Sequence, residues 1–184
     1  MGLWSSFLTS LGIIKRKVNI LLVGLDNAGK STIINGLKVS AVPQTEVVPT
    51  VGFNVETFST QHRLTFTVFD MSGQGKYRDL WEYYYPDVEA IVFVIDASDK
   101  IRACVARDEL ETMLQNKVLR DRKIPILFFA NKMDVEGGMS PSECSGALGL
   151  EEIKDRNWTI CATNGITGQG VGVGLDWLAE ELKY

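Results

Sequence analysis

The sequence predicts an α/β domain: a doubly wound, mostly parallel six-stranded sheet with one antiparallel hairpin and helices on both faces. Three observations predict it. Short apolar runs of strand length recur through the 184 residues, several of them uninterrupted, as in strands buried on both faces. Stretches with apolar residues at helical spacing alternate with those runs. One pair of runs is separated by only five polar residues, which suits a tight antiparallel turn and leaves no room for a crossover helix.

The elements follow in order. VNILLVG (18–24) is the first strand and leads through a glycine-containing loop to the helical stretch IINGLK. FNVETF (53–58) and LTFTVFD (64–70) form the hairpin, and AIVFVID (90–96) is a strand, apolar as far as Asp96. IRACVARDELETMLQNKV (101–118) is expected to be one amphipathic helix, followed by the strand IPILFFAN (124–131). SPSECSGAL opens with a Ser140 cap, Pro141 in its first turn and Glu143 completing a capping box. TICAT (159–163) is the last strand, and VGLDWLAEEL is a helix with Val173, Trp177 and Leu178 on its apolar side. No repeat, low-complexity tract or internal linker interrupts the series. A chain of this length, 45% hydrophobic, builds one core. Residues 1–17 are read as an amphipathic helix with a basic junction, and 18–184 as the domain.

Composition excludes several classes of function. Nineteen basic against twenty-three acidic residues give a net charge of −4, so no basic face for nucleic acid is expected. No apolar run reaches the length of about 20 residues that crosses a bilayer, and no secretory signal is evident, so a cytoplasmic protein is expected. Cys104, Cys144 and Cys161 are odd in number and lack C-x-x-C spacing. They are read as buried reduced thiols, not as a disulfide framework or zinc site. The only histidine, His62, falls in the polar stretch STQHR and is read as a solvated turn residue.

The chemistry begins at GLDNAGKST (24–32). Gly24, Gly29, Lys30 and Ser31 satisfy G-x-x-x-x-G-K-[ST], with the strand before and helix after that this phosphate-binding loop requires. Glycines let the backbone curl, so that N–H groups of Asp26, Asn27, Ala28 and their neighbours face phosphate oxygens. The following helix adds its positive N-terminal end, with Thr32 beside Ser31. Lys30 is expected to bridge the β- and γ-phosphates and the Ser31 hydroxyl to reach a magnesium ion. The expected ligand is a nucleoside polyphosphate with Mg²⁺.

Asn131, Lys132 and Asp134 of NKMD follow the strand 124–131, at the strand end that borders a ligand crevice in such sheets. An Asp134 carboxylate pairs with the adjacent N1–H and amine donors of guanine. Adenine offers no such pair, and a site with unmatched polar groups discriminates by about 10⁴ to 10⁵. Asn131 is expected to tie this loop to the rest of the site, Lys132 to lie along the base, and Cys161 and Ala162, ending the last strand, to border it. DMSGQG (70–75) supplies Asp70, expected to hold magnesium through water, and Gly73, whose N–H can approach the γ-phosphate. Thr50 in VVPTVGF is a second hydroxyl for the metal. Gln74 is the candidate catalytic residue, positioning the attacking water, and no arginine is obviously placed to reach the γ-phosphate in cis.

GLDNAGKST, PTVGFNVE, DMSGQGKYRDLWEYYY, NKMD, CAT and GLDWLAEEL together resemble the ADP-ribosylation factor family of small GTPases over nearly the whole chain. DMSGQGKYR, the LW-x-YY string and IPILFFANKMD are most similar to its ciliary branch, which recruits the BBSome coat. The resemblance implies slow GTP hydrolysis, an exchange factor and a GTPase-activating protein. It further implies a monomer, and a cycle between cytoplasm and membrane at the base of the cilium or flagellum and on the ciliary membrane. The family's effector aromatics map to Phe53, Phe69 and Tyr84, with Trp81 beside them. Many members carry tryptophan and glycine where this chain has Phe69 and Ser72. The Cβ of Ser72 restricts the backbone beside Gln74, which puts the hydrolysis rate in question but not binding. The alternative reading is a P-loop phosphotransferase acting on a small metabolite. It explains Gly24 to Ser31 but gives no reason for Asp134.

Leu3, Trp4, Phe7, Leu8, Leu11 and Ile14 share one side of a helix, followed by Lys15, Arg16 and Lys17, a pattern suited to an anionic membrane surface. Gly2 with Ser6 fits the N-myristoylation pattern. The resemblance implies that this helix rests on the domain with GDP and is displaced with GTP, when residues 53–70 slide along the sheet.

Overall fold

The computed structural model describes residues 16–37, 53–59 and 64–183. Six strands carry the architecture: β1 (Arg16–Val23), β2 (Phe53–Ser59), β3 (Leu64–Met71), β4 (Ala90–Asp96), β5 (Ile126–Asn131) and β6 (Trp158–Ala162). They form one sheet in the order β2-β3-β1-β4-β5-β6. All neighbours run parallel except β2 and β3, which pair antiparallel from Phe53 opposite Met71 to Ser59 opposite Thr65. The helices are α1 (Lys30–Leu37), α2 (Ala103–Gln115), α3 (Lys117–Arg122), α4 (Pro141–Leu148) and α5 (Val171–Glu181), with a 3₁₀ helix over Gly75–Tyr84 and a short 3₁₀ turn over Leu150–Glu152.

The uninterrupted apolar runs put side chains into two cores, because successive strand residues face opposite sides of a sheet. Leu21 and Val23 of β1, Ile91, Phe93 and Ile95 of β4, and Ile126, Phe128 and Ala130 of β5 pack toward α2, α3 and α4. Their neighbours Val18, Ile20, Leu22, Val92, Val94, Leu127 and Phe129 pack toward α1 and α5. The sheet is thus covered on both faces, as its composition predicts.

Three details differ from expectation. The stretch 101–118 is not one helix: it breaks at Asn116, whose side chain accepts the Val118 N–H at 3.0 Å and so caps α3. In α5 the buried stripe is Val171, Gly174, Leu175, Leu178 and Ala179, while Val173 is 68% exposed. The helix begins two residues earlier than the apolar string suggested, and its core face follows 171, 174, 175, 178 and 179, which keeps Leu178 inside, leaves Trp177 half-buried and turns Val173 to solvent. Of the cysteines only Cys144 is buried; Cys104 is exposed and Cys161 half-buried, all three free. Cys104 stands beside buried Ala103 on α2 and points away from the core. The Ser140 capping box forms: Oγ accepts the Glu143 N–H at 3.2 Å and the Glu143 carboxylate accepts the Ser140 N–H at 2.7 Å. The Ser140 N–H and hydroxyl, both donating to the Glu143 carboxylate, hold that carboxyl below its ordinary pKa. Among the described residues no helix is long and apolar enough to cross a membrane.

Candidate functional site

The carboxyl ends of β1, β3, β4, β5 and β6 lie at one edge of the sheet, and the motif-bearing loops leave from them. Residues 24–29 carry the chain from β1 into α1. Asn27 and Gly29 both adopt left-handed backbone, φ 62° and 93°, which produces the curl. A Cβ on Gly29 would sit 2.3 Å from Asn131 Nδ2, so space as well as conformation requires glycine there. Ala28 is fully buried, and Thr32 is half-buried on α1.

Lys30, the first residue of α1, is 6% exposed. Its ammonium arches back over the loop and donates to the carbonyls of Gly24 (3.0 Å) and Leu25 (2.8 Å). Burial lowers its pKa to about 8, opposed by the carboxylates of Asp70 and Asp26 and helped by Arg78. A cation already stripped of water gains more from a polyanion than a solvated one. The Ser31 hydroxyl donates to Asp70 Oδ2 at 2.6 Å, and Asp70 is 2% exposed at the end of β3. A hydroxyl and a carboxylate oxygen this close are hard donors of the kind magnesium takes, so the residues present fit the ion.

The second half of the site is held by Asn131, 2% exposed at the end of β5. Its amide donates to the Ala28 carbonyl at 2.8 Å across 103 residues of sequence. Its Oδ1 accepts the Gly165 N–H (2.8 Å) and the Thr163 hydroxyl (3.3 Å). The next residue, Lys132, has φ 66° and donates to Asp96 Oδ2 at 2.7 Å. The Met133 N–H reaches the Thr163 carbonyl at 3.1 Å, and Asp134 is exposed just beyond. Cys161 and Ala162 end β6 beside this loop, and burial pushes the Cys161 thiol pKa up.

Past Asp70, the β3 end turns onto the phosphate-binding loop. The Gly73 carbonyl accepts the Asp26 N–H at 3.1 Å, and a Cβ on Gly73 would lie 2.2 Å from the Leu25 carbonyl carbon, so only glycine allows this approach. Gln74 is half-buried and extended, φ −65° and ψ 135°, with its carbonyl taking the Tyr77 N–H at 2.9 Å. Ser72 Oγ lies 3.4 Å from the Gln74 N–H, a weak acceptor, and the Ser72 carbonyl accepts the Trp81 indole N–H at 3.2 Å.

Phe69 and Phe53 both stack on Tyr84, with ring centroids at 5.0 and 5.5 Å. Phe53 is 50% exposed, and Val55 and Tyr83 extend the apolar surface at 45% and 70%. Trp81 does not belong to that surface: it is 2% exposed in the core beneath, because its indole N–H is drawn inward to Ser72. Thr50, Gly2, His62 and the amphipathic N-terminal segment through Lys15 lie outside the described residues.

Two arginines escaped the sequence reading. Arg102 Nη1 pairs with Asp26 at 3.2 Å while its Nε donates to Asp99 at 2.6 Å. Arg78 Nη2 approaches the same Asp26 oxygen at 3.7 Å. Both stand at the phosphate-binding loop in cis, each committed to carboxylates. Asp96, the partner of Lys132, was likewise missed. Apart from Asp99, three residues before Arg102, their charged partners are dozens of residues away, and no local pattern announces them.

The profile of the ADP-ribosylation factor family matches residues 4–182. ADP-ribosylation factor-like protein 6 of Danio rerio is 50% identical over 183 residues, covering 100% of this chain and 98% of that one. The Caenorhabditis elegans protein of the same name is 43% identical over 185 residues, 100% of this chain and 97% of that one. The solved structure of the Arl6 BBS3 small GTPase from Trypanosoma brucei, with the bound nucleotide analogue GppNp, matches with a TM-score of 0.81 at 44% identity, over 89% of this chain and 96% of that one.

Proposed function

The chain belongs to the ADP-ribosylation factor family of small GTPases, which hydrolyse GTP to GDP and phosphate, and we propose that it is a membrane-recruited switch assembling a coat of the BBSome type. Its ligands are GTP and GDP with magnesium. Family membership over residues 4–182 leaves the phosphotransferase alternative without support.

The observation that carries the reading is the Asn131 to Ala28 hydrogen bond, 2.8 Å, because it joins the base-side loop to the phosphate-side loop. A nucleotide spanning that junction would present guanine to Asp134 and phosphates to the N–H groups of residues 26–30. Lys30 would exchange its bonds to Gly24 and Leu25 for phosphate oxygens. Ser31, Asp70 through water, and Thr50 would hold magnesium, which when bound neutralises phosphate charge. Gly73 would sense the third phosphate, and Gln74 would orient the attacking water. Hydrolysis is slow on this reading, because both arginines near the loop are tied to carboxylates. A GTPase-activating protein supplying another would accelerate it by about 10³ to 10⁵.

The aromatic surface of exposed Phe53 with half-buried Phe69 and Tyr84 is the effector side. The N-terminal segment, whose apolar and basic pattern suits a membrane surface, would with Gly2 acylated be the membrane side, and the ciliary or flagellar base and membrane is where the two would meet. One acyl chain gives only marginal anchoring, about 10⁴ M⁻¹, so helix and lipid act together.

Two measurements test this. Calorimetry is expected to show GTP bound about 10⁴- to 10⁵-fold tighter than ATP, the ratio that a matched polar pair provides. Removing residues 2–14 is expected to leave that affinity intact and abolish GTP-dependent sedimentation with anionic liposomes; unchanged sedimentation defeats the membrane role.

A further inference from the structure

Gln74 can orient water only if the turn that carries it is itself held. The residue doing most of that holding is four positions downstream. Arg78 lies in the 3₁₀ helix with its side chain 15% exposed and reaches three elements at once. Nε donates to the Gly73 carbonyl at 2.8 Å. Nη1 donates to Glu109 Oε1 of α2 at 2.6 Å. Nη2 faces Asp26 of the phosphate-binding loop at 3.7 Å.

Each partner has a distinct mechanical meaning. Glu109 belongs to a helix anchored in the core through Ala103, Ala106, Leu110 and Met113, so it is a fixed point. Gly73 adjoins Gln74, and its carbonyl also takes the Asp26 N–H. Arg78 therefore transmits the position of α2 to the peptide beside Gln74 and presses that peptide on the phosphate-binding loop. Only a guanidinium can do this, since its planar fork directs Nε and Nη at separate acceptors, whereas an ammonium is a single point charge. The Asp26 contact adds little, because that side chain is 46% exposed.

Resting on the reading of Gln74 as the water-positioning residue, we infer that Arg78 is a positioning residue for GTP hydrolysis: it fixes the Gly73–Gln74 peptide against α2 without touching the nucleotide. It is not the arginine that stabilises the transferring phosphoryl group, since its donors are already engaged by Gly73 and Glu109.

The test uses the full chain, loaded with GTP, in single-turnover hydrolysis, with GDP affinity and melting temperature measured on the same preparations. Displacement of a catalytic group by about 1 Å costs about 10²-fold in rate, which sets the scale. Arg78→Ala is expected to slow hydrolysis by roughly 30- to 100-fold while GDP affinity changes less than about threefold. Arg78→Lys keeps the charge and loses the fork, and is expected to stay about tenfold slow. Glu109→Gln approaches the same link from α2, away from the nucleotide, and is expected to slow hydrolysis by about three- to tenfold. Rates within twofold of the parent for Arg78→Ala and Glu109→Gln overturn the inference. So does full rescue by Lys, or a parallel loss of GDP affinity and rate, which marks a purely structural role. If the Arg78 variants behave as expected but Gln74→Leu hydrolyses normally, the Gln74 reading fails and takes the inference with it. A slow Gln74→Leu with normal Arg78 variants defeats the inference alone.

Discussion

The two halves of the site are built on opposite plans. On the base side the polar groups close on one another: Asn131 spends its amide on Ala28, Gly165 and Thr163, Lys132 pairs with Asp96, and Asp134 alone projects outward. On the phosphate side the groups a nucleotide would claim are bonded to the protein's own main chain or to each other: Lys30 to Gly24 and Leu25, Ser31 to Asp70, and the Asp26 N–H to Gly73. The first half can receive a base without rearranging. The second has to exchange bonds, and one of those bonds belongs to Gly73, beside the residue proposed to orient water. On the proposed reading, selectivity resides where the polar groups are already paired with the protein, and dependence on the third phosphate where those bonds are exchanged.

The hardest blow to that division would fall at the junction. Gly29→Ala forces a side chain into φ 93° and onto the Asn131 amide 2.3 Å away, disturbing both halves together. Strain and the broken bond should cost about 3 kcal/mol of stability and, by misplacing the loop, on the order of 10³-fold in GDP affinity. Urea unfolding and fluorescent-nucleotide titration measure the two. Binding within tenfold of the parent would mean that the halves are not joined here.

Asp134→Asn strikes the base side alone. The amide meets the guanine amine with a donor instead of an acceptor, so one hydrogen bond is lost and the one from N1–H keeps only a neutral acceptor, on the order of 10² to 10⁴ in GTP affinity. The carboxylate is exposed, so the melting temperature should hold. Xanthosine triphosphate, with a carbonyl where guanine has its amine, should recover much of the loss. Gln74→Leu strikes the phosphate side alone: hydrolysis should slow by about 10²-fold with GDP affinity unchanged. A change of base preference in this variant, or of hydrolysis rate at saturation in Asp134→Asn, would blur the division.

How much of this was legible in the sequence follows from the range of the interactions. Strands announced themselves because burial on both faces needs continuous apolar runs, and bounds missed by only two residues at Arg16 and Ile126. The phosphate-binding loop was legible because its glycine and lysine spacing is local: Lys30 bonds to carbonyls within six residues. The break at Asn116 was not: an asparagine inside a helical pattern is only mildly unfavourable, and what ends α2 is its side chain capturing the Val118 N–H. Trp81 is grouped with the effector aromatics by its place in the string LWEYYY, and nothing local says that its indole turns inward. Arg78 was hidden most thoroughly, since its meaning depends on Glu109, 31 residues on, and on a fold that brings α2 to the turn.

The smallest expected effect sharpens the account of the phosphate side most. At Ser72 the sequence raised a concern that a Cβ beside Gln74 hampers the turn. Yet Ser72 does not have the left-handed backbone that would strain a side chain, and its hydroxyl offers the Gln74 N–H a weak acceptor at 3.4 Å. The Cβ therefore narrows the turn toward the conformation observed. Ser72→Gly should release about 0.4 to 1 kcal/mol of that restraint. Because a fraction of molecules then leaves the productive geometry, single-turnover hydrolysis should fall by about two- to fivefold, with nucleotide affinity unmoved. A faster Ser72→Gly would reverse the argument: the serine would be a brake, the Gly73–Gln74 peptide would have to move before water is attacked, and the bonds that Arg78 makes would resist that movement.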